Sequence, residues 1–225
     1  MSRRDDALEL TPELMLRAYA AGIFPMAESR HTDEVFWVDP KRRGILPIDD
    51  VHVPRRLART LRGDTFTITC NQHFEKVVRT CAESTARRKD TWINPPIEKA
   101  VNELHAMGFA HSIEAWRDGA LVGGLYGISL GAAFFGESMF SRARDASKIA
   151  LIHLVARLRL GGFRLLDTQF VTDHLAQFGV VEVAARDYLV MLEEALKFQA
   201  GFPADADADA VREALAETIE AGAGN

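Results

Sequence analysis

Three runs of β-forming residues between positions 111 and 135 constrain the fold more than any other feature of the chain. His111 to Trp116 and Leu121 to Leu130 are joined by Arg117-Asp118-Gly119-Ala120, a polar link with the chemistry of a tight hairpin, and Ala132 to Phe135 extends the meander. An apolar segment follows, with Asp145 or Ser147 placed to cap a long helix that Gly161 and Gly162 end, and Phe163 to Gln169 returns to strand character. Antiparallel strands, then a helix, then another strand make an α+β chain with a mainly antiparallel sheet flanked by helices. At 225 residues it is long enough for one large core or two modest ones.

Upstream, Thr11 as N-cap, Pro12 at the first helical position and Glu13 beside the positive end of the dipole start a helix that Gly22 stops. Ile23 to Pro40 then reads as irregular, so residues 1–50 are expected to form a small amino-terminal unit. Residues 51–200 carry the main domain. It opens with a basic helix at Pro54 to Leu61 and a strand over Thr65 to Thr69, followed by a helix from His73 to Cys81. A polar loop over Ser84, Thr85, Arg87, Arg88, Lys89 and Asp90 leads to a helix starting near Pro96 and ended by Gly108, with Ile97, Val101, Leu104 and His105 on one face. After the meander comes a last helix from Arg186 to Gln199. Residues 201–225 form an acidic Ala/Asp-rich tail, read as solvating, with Val211 to Glu220 a marginal helix.

The formal net charge of −5 argues at first sight against a nucleic-acid partner. It is concentrated in the tail, where six acids face the single base Arg212, and the rest of the chain is neutral. Within that body Lys41, Arg42, Arg43, Arg55, Arg56, Arg59 and Arg62 place seven bases in 22 positions, against Asp49 and Asp50. Such a patch is either an anion-binding surface or a solvated helix face. The longest apolar stretch, Ile149 to Leu160, is interrupted by His153, Arg157 and Arg159, so no membrane span is expected, and the amino terminus has no secretory pattern. A cytoplasmic location follows as the expectation. Cys70 and Cys81 are too few for a disulfide framework and read as buried thiols, while the scattered histidines, His105 and His111 among them, read as helix-face and strand residues.

Two segments carry candidate chemistry. Asp167-Thr168-Gln169 ends an apolar strand, where alternation puts the two polar side chains on one face and makes the glutamine amide a donor for the carboxylate; the alternative is a strand end emerging into water. Phe134 to Ser141 sets Glu137, Ser138 and Ser141 into an aromatic and sulfur-rich run, suited to an apolar pocket for an amino-acid side chain, or else to a core strand ending in a turn. No hydrolase, metalloprotease or phosphate-loop motif is present, so no cofactor, metal or covalent nucleophile is expected.

Taken together, Tyr19-Ala-Ala-Gly-Ile-Phe-Pro25, Trp37-Val-Asp-Pro40, Thr91-Trp92-Ile93, His111-Ser-Ile-Glu114, Leu121-Val-Gly-Gly-Leu-Tyr-Gly127, Gly136-Glu-Ser-Met-Phe-Ser-Arg142, Ala146-Ser-Lys148 and Asp167-Thr-Gln169 resemble the bacterial leucyl/phenylalanyl-tRNA-protein transferases. The resemblance implies a small amino-terminal domain followed by a GNAT-like acyltransferase domain. The implied reaction moves Leu or Phe, less readily Met, from aminoacyl-tRNA to proteins that begin with Arg or Lys, marking them for N-end-rule degradation. A monomer is expected, though not from the resemblance. It assigns Asp167 and Gln169 to a catalytic pair and Glu137 to a position near the aminoacyl end of the tRNA. Trp92, with Met26 and Ser141, falls at the 3′-adenosine site, and Phe135, Met139 and Leu125 fall in the aminoacyl pocket. Arg55, Arg59 and Arg62 match positions that hold the acceptor stem. Three positions depart from the family pattern: Met26 stands where a second Trp is usual, Val101 replaces a Tyr, and Gly63 replaces a base. The rival readings are an acetyl-CoA-dependent N-acetyltransferase, whose glycine-rich pyrophosphate loop is missing before Asp145, and a tRNA-binding module without catalysis.

Overall fold

The Thr11 side chain accepts the Leu14 N–H at the start of α1 (Pro12–Ala20), so the first helix begins where its capping residue places it. The computed structural model describes residues 9–63, 65–84 and 89–223; Thr85, Arg87 and Arg88 of the polar loop lie outside the described residues. The stretch after Gly22 is not irregular. It forms β1 (Phe24–Met26) and β2 (Phe36–Val38), paired antiparallel, each too short to display a period in sequence.

β3 (Arg42–Ile45) follows, a strand that no pattern announces, and then α2 (Arg55–Leu61), β4 (Thr67–Cys70), α3 (Phe74–Cys81) and α4 (Pro95–Ala106). Asn94 caps α4 by accepting the Ile97 N–H. The meander is β5 (Ala110–Arg117), β6 (Ala120–Leu130) and β7 (Ala133–Ser141), with the hairpin link at Asp118 and Gly119 in the left-handed region. The chain ends with α5 (Ala146–Leu160), β8 (Leu165–Gln169), α6 (Asp173–Ala176), β9 (Val181–Ala184), α7 (Ala185–Leu196) and α8 (Ala208–Ala223).

Seven strands form one sheet in the order β4-β5-β6-β7-β8-β3-β9, antiparallel throughout except for the parallel β7–β8 pair that α5 connects. The large sheet thus takes in the chain from Arg42 onward. One face is packed by α1, α3, α4 and α7, and Met15, Tyr19 and Phe24 of the amino-terminal unit belong to that same core. The other face is covered by α2, α5 and α8. α5 is buried nearly all round because the sheet lies on one side and α8 on the other, which accounts for the apolar run in its sequence. The acidic tail is therefore not a solvating segment. Val211, Ala214, Leu215 and Ile219 of α8 are buried while its acids face outward.

Neither Asp145 nor Ser147 caps α5 with its side chain. Asp145 occupies the N-cap position at φ +64 without a capping bond, and the Ser147 N–H is accepted by Ser141 Oγ at 3.3 Å. Cys81 is buried and Cys70 half-buried, its thiol pushed up to about 12 by burial.

Two irregularities of register shape the centre of the sheet. Tyr126 pairs with Ser138 and Gly127 with Gly136, leaving Glu137 as the extra residue of a β-bulge. The side-chain phase inverts there: Phe134 and Met139 pack on the α5 side, Phe135 and Phe140 on the other. On β8, Ile45 pairs with Asp167 and Gly44 with Gln169, so Thr168 is the extra residue. β7 and β8 pair only as far as Phe135 and Asp167 and then separate. A wedge opens between them.

Candidate active site

The wedge holds a cavity of about 570 Å³ with mostly apolar walls. Met139, Leu125, Leu151, Leu154 and Leu166 line it on the α5 side, and Met26, Trp92 and Phe24 on the other. The bulge turns Glu137 into this space, and Gln169, at φ +57, closes it from β8. Gln169 Nε2 donates to Glu137 Oε1 at 3.3 Å. Trp92 and Met26 meet because the Ala27 N–H is accepted by the Trp92 carbonyl at 3.1 Å.

Asp167 lies beneath this pair and does not reach the cavity. Its carboxylate is fully buried and accepts four donors: Arg43 through Nε at 2.9 Å and Nη2 at 2.6 Å, the Tyr188 hydroxyl at 2.9 Å, and the backbone N–H of Gln169 at 2.8 Å. The glutamine side chain is not among them. The bulge at Thr168 breaks the alternation on which that expectation rested, so Asp167 holds the backbone of Gln169 while Glu137 holds its amide. Arg43, 1% exposed, is sandwiched with its guanidinium carbon 4.6 Å from the Phe24 ring centroid and 4.5 Å from that of Tyr188, and gives Nη1 to the Gly22 carbonyl. Counting it into a solvent-facing basic patch is thus wrong. Burial works against its charge, but the hydrogen bonds and charge of Asp167 outweigh this and hold its pKa above the ordinary value.

Glu137 is enclosed more tightly than its opening to the cavity suggests. Burial, then the charge of Asp167, push its carboxyl up to about 8, against the opposing influence of Tyr19 and Arg43. The Tyr19 hydroxyl, buried and facing Glu137, makes no hydrogen bond of ordinary geometry, and burial holds it well above its usual range. Glu137 is accordingly neutral at pH 7, and the sign of its linkage to stability follows. The folded protein binds the proton more tightly than the unfolded chain, so the contribution is full below about 4.5 and is lost as pH rises through about 8. Thermal unfolding of Glu137→Gln is expected to fall less steeply between pH 5 and 9 than that of the unaltered chain; superimposable curves would show that the carboxyl ionises normally.

Of the other residues singled out in sequence, Ser141 lines the cavity but its hydroxyl donates to the Ala143 carbonyl at 2.9 Å and accepts the Ser147 N–H. Phe135 does not line it. Strict alternation would align Phe135 with Met139, whereas the bulge sends Phe135 to the opposite face, where it packs 4.8 Å from the Tyr19 ring. The His111-Ser-Ile-Glu114 motif is taken up in a buried polar cluster elsewhere, in which Thr69 and Ser112 donate to Glu114. His105 stacks on Phe74 and His111 on Phe202. Among the described residues no group of His, Cys, Asp and Glu could hold a metal ion.

Residues 45–193 match the family described as Leucyl/phenylalanyl-tRNA protein transferase, and residues 9–41 match its N-terminal domain. The chain belongs to this family. Leucyl/phenylalanyl-tRNA–protein transferases of Rhizorhabdus wittichii and Paramagnetospirillum magneticum are each 59% identical to it, over 85% of this chain and 77% of the first protein and over 88% and 94% for the second. That of Rhodopseudomonas palustris is 58% identical over 90% of this chain and 91% of its own. In this transferase family member, Arg55 and Arg59 stand exposed on α2, whose inner side buries Leu57 and Ala58, and Arg62 stands exposed at its C-cap. Val101 is a core residue. Arg43, Tyr19, Tyr188 and the half-exposed Phe170 are the site residues that sequence reasoning missed. Only Arg43 left a signal: a carboxylate in an apolar strand needs a buried cation, and Arg43 begins the apolar run Gly44-Ile45-Leu46. Among the described residues no helix is long and apolar enough to cross a membrane.

Proposed function

We propose that the chain transfers a leucyl or phenylalanyl group, and less readily methionyl, from aminoacyl-tRNA to the amino terminus of proteins beginning with Arg or Lys. The observation that carries this reading is the cavity itself: an apolar recess for the esterified side chain with one polar pair, Glu137 and Gln169, at its wall. An aminoacyl ester is already activated, so the protein needs only to align it with a neutral amine and to tolerate the charge that develops on the carbonyl oxygen. With its Nε2 committed to Glu137, Gln169 presents its oxygen to accept a hydrogen bond from the attacking amine; the C–N bond forms, the ester C–O bond breaks, and the proton shed by the amine ends on the departing 3′-oxygen of the tRNA, directly or through water. A neutral Glu137 puts no negative charge beside the forming oxyanion. Asp167, Arg43 and Tyr188 act from behind, fixing the Gln169 backbone.

Trp92 offers a stacking surface for the 3′-adenosine, with Met26 beside it in place of the usual second aromatic. The splayed β7–β8 pair after a meander fits a GNAT-like arrangement. The enzyme is read as a cytoplasmic monomer whose products are substrates for N-end-rule degradation, with residues 1–50, 51–200 and 201–225 as its three regions. A coenzyme A-dependent acetyltransferase is disfavoured because the start of α5 has little free backbone to offer a pyrophosphate: the Ala146 N–H goes to the Ala143 carbonyl and that of Ser147 to Ser141.

Transfer of labelled Leu from Leu-tRNA to an Arg-initiated peptide tests the reading, and no transfer at saturating tRNA would overturn it. In the same assay the Arg55/Arg59/Arg62→Ala triple variant is expected to raise the apparent tRNA KM and to flatten its salt dependence by about two to three units of log–log slope. An unaltered slope would place the stem contact elsewhere.

A further inference from the structure

We propose that the cleft between α2, β4, α5 and α8 is a second ligand site, which takes a monoanionic organic carboxylate with an apolar body. Its volume is about 730 Å³, and it shares no lining residue with the active-site cavity. Roughly 300–1,000 Å³ is usual for small-molecule pockets. The floor is set by two residues one turn apart on α5. Arg157, 8% exposed, gives Nη1 to the Pro203 carbonyl at 2.7 Å, but its Nε has no hydrogen-bond partner and it forms no ion pair among the described residues. The neighbouring His153 Nδ1 is equally enclosed and has no hydrogen-bond partner among the described residues. A guanidinium so placed is costly without a counter-ion, and a carboxylate supplies both the charge and the acceptors.

The surroundings select among anions. Burial, then the charge of Arg157, hold the His153 imidazole down at about 4, so at neutral pH the floor carries one formal positive charge and matches a single negative one. At the rim, which includes the Arg62 assigned above to the acceptor stem, Arg62 and Arg212 are balanced by Glu213 and Glu220, and Arg212 is already paired with Asp209, so the mouth has no net charge to draw a polyanion inward. The walls, Phe66, Ile68, Val211, Leu215 and Ile219, are apolar. The α8 wall lies beyond the residues 45–193 that match the family, whereas the floor and the α2 and β4 walls lie within them.

Calorimetric titration of the full chain with octanoate, octanol and octyl phosphate tests this. Octanoate is expected to bind at least about tenfold more tightly than octanol, the loss expected when a charge-assisted hydrogen bond is removed. Arg157→Met and His153→Leu should each weaken it, and Ala216→Trp, which fills the cleft from an exposed position on α8, should abolish it while labelled-Leu transfer continues. Because octanoate could also enter the active-site cavity, the imidazole ¹H–¹⁵N signals of His153 should shift on its addition. Equal affinity for octanol, unchanged binding in Ala216→Trp, a silent His153, or tighter binding of octyl phosphate than of octanoate would each overturn the proposal.

Discussion

Arg43→Ala is expected to cost the folded state about 3–5 kcal/mol, the range for removing one partner from a buried ion pair. In a chain of this size that corresponds to a fall in Tm on the order of 10 °C. The cost is high because Asp167 has no exposed surface and loses two of its four donors at once, the Nε and Nη2 of Arg43, while Phe24 and Tyr188 lose the plane they stack against. The informative comparison is the double variant Arg43→Met/Asp167→Leu. Replacing both partners by apolar groups of similar volume is often close to neutral, so this protein should regain much of the lost stability. It should not regain activity, since the Gln169 N–H then has no carboxylate to hold it. Denaturation curves and labelled-Leu transfer measured on the same samples would separate the two roles. Full activity in the double variant would show that the ion pair serves the fold alone.

Gln169→Ala is expected to lower the turnover of Leu transfer at least about tenfold, or about 1.4 kcal/mol of barrier, with little change in the KM for tRNA. The expected split follows from where the contact is made. An amide oxygen that accepts from the attacking nitrogen strengthens as that nitrogen becomes positive, so it acts on the transition state more than on the bound substrate. Stability should change little, because Gln169 keeps its backbone N–H bond to Asp167 and loses only a 3.3 Å contact to Glu137. A wild-type kcat in this variant would remove the amide from the chemistry and leave alignment of the two substrates to account for the rate.

What was legible in sequence and what was not divides along one physical line. Elements announced by local chemistry stand where their residues put them: Thr11 as a cap, the Asp118-Gly119 turn, Ile97, Val101 and Leu104 as a buried helix face. Elements whose reason is non-local were hidden. β3 exists because β8 and β9 flank it, and the burial of Arg43 follows from Asp167, 124 residues away in sequence, more than from its own neighbours. α8 looks like a solvating tail because its acids dominate the composition, yet its apolar residues meet α5. Glu137, Gln169, Trp92, Met26, Leu125 and Met139, singled out in sequence, line one cavity, whereas the placement of Phe135 and the link between Asp167 and the Gln169 amide were misread. Both misreadings assume an unbroken alternation that two inserted residues interrupt.

Those insertions have an outcome of their own for how the site tolerates change. The direction in which Glu137 points is encoded by a tally of residues along β7, opposite Tyr126 and Gly127, more than by the chemistry of any one of them. Exchanging side chains on either flank leaves the tally intact. Losing or gaining a single residue there would swap inside for outside along the rest of the strand, carrying Met139 and Phe140 with it, so this stretch accepts substitution far more readily than a change in length.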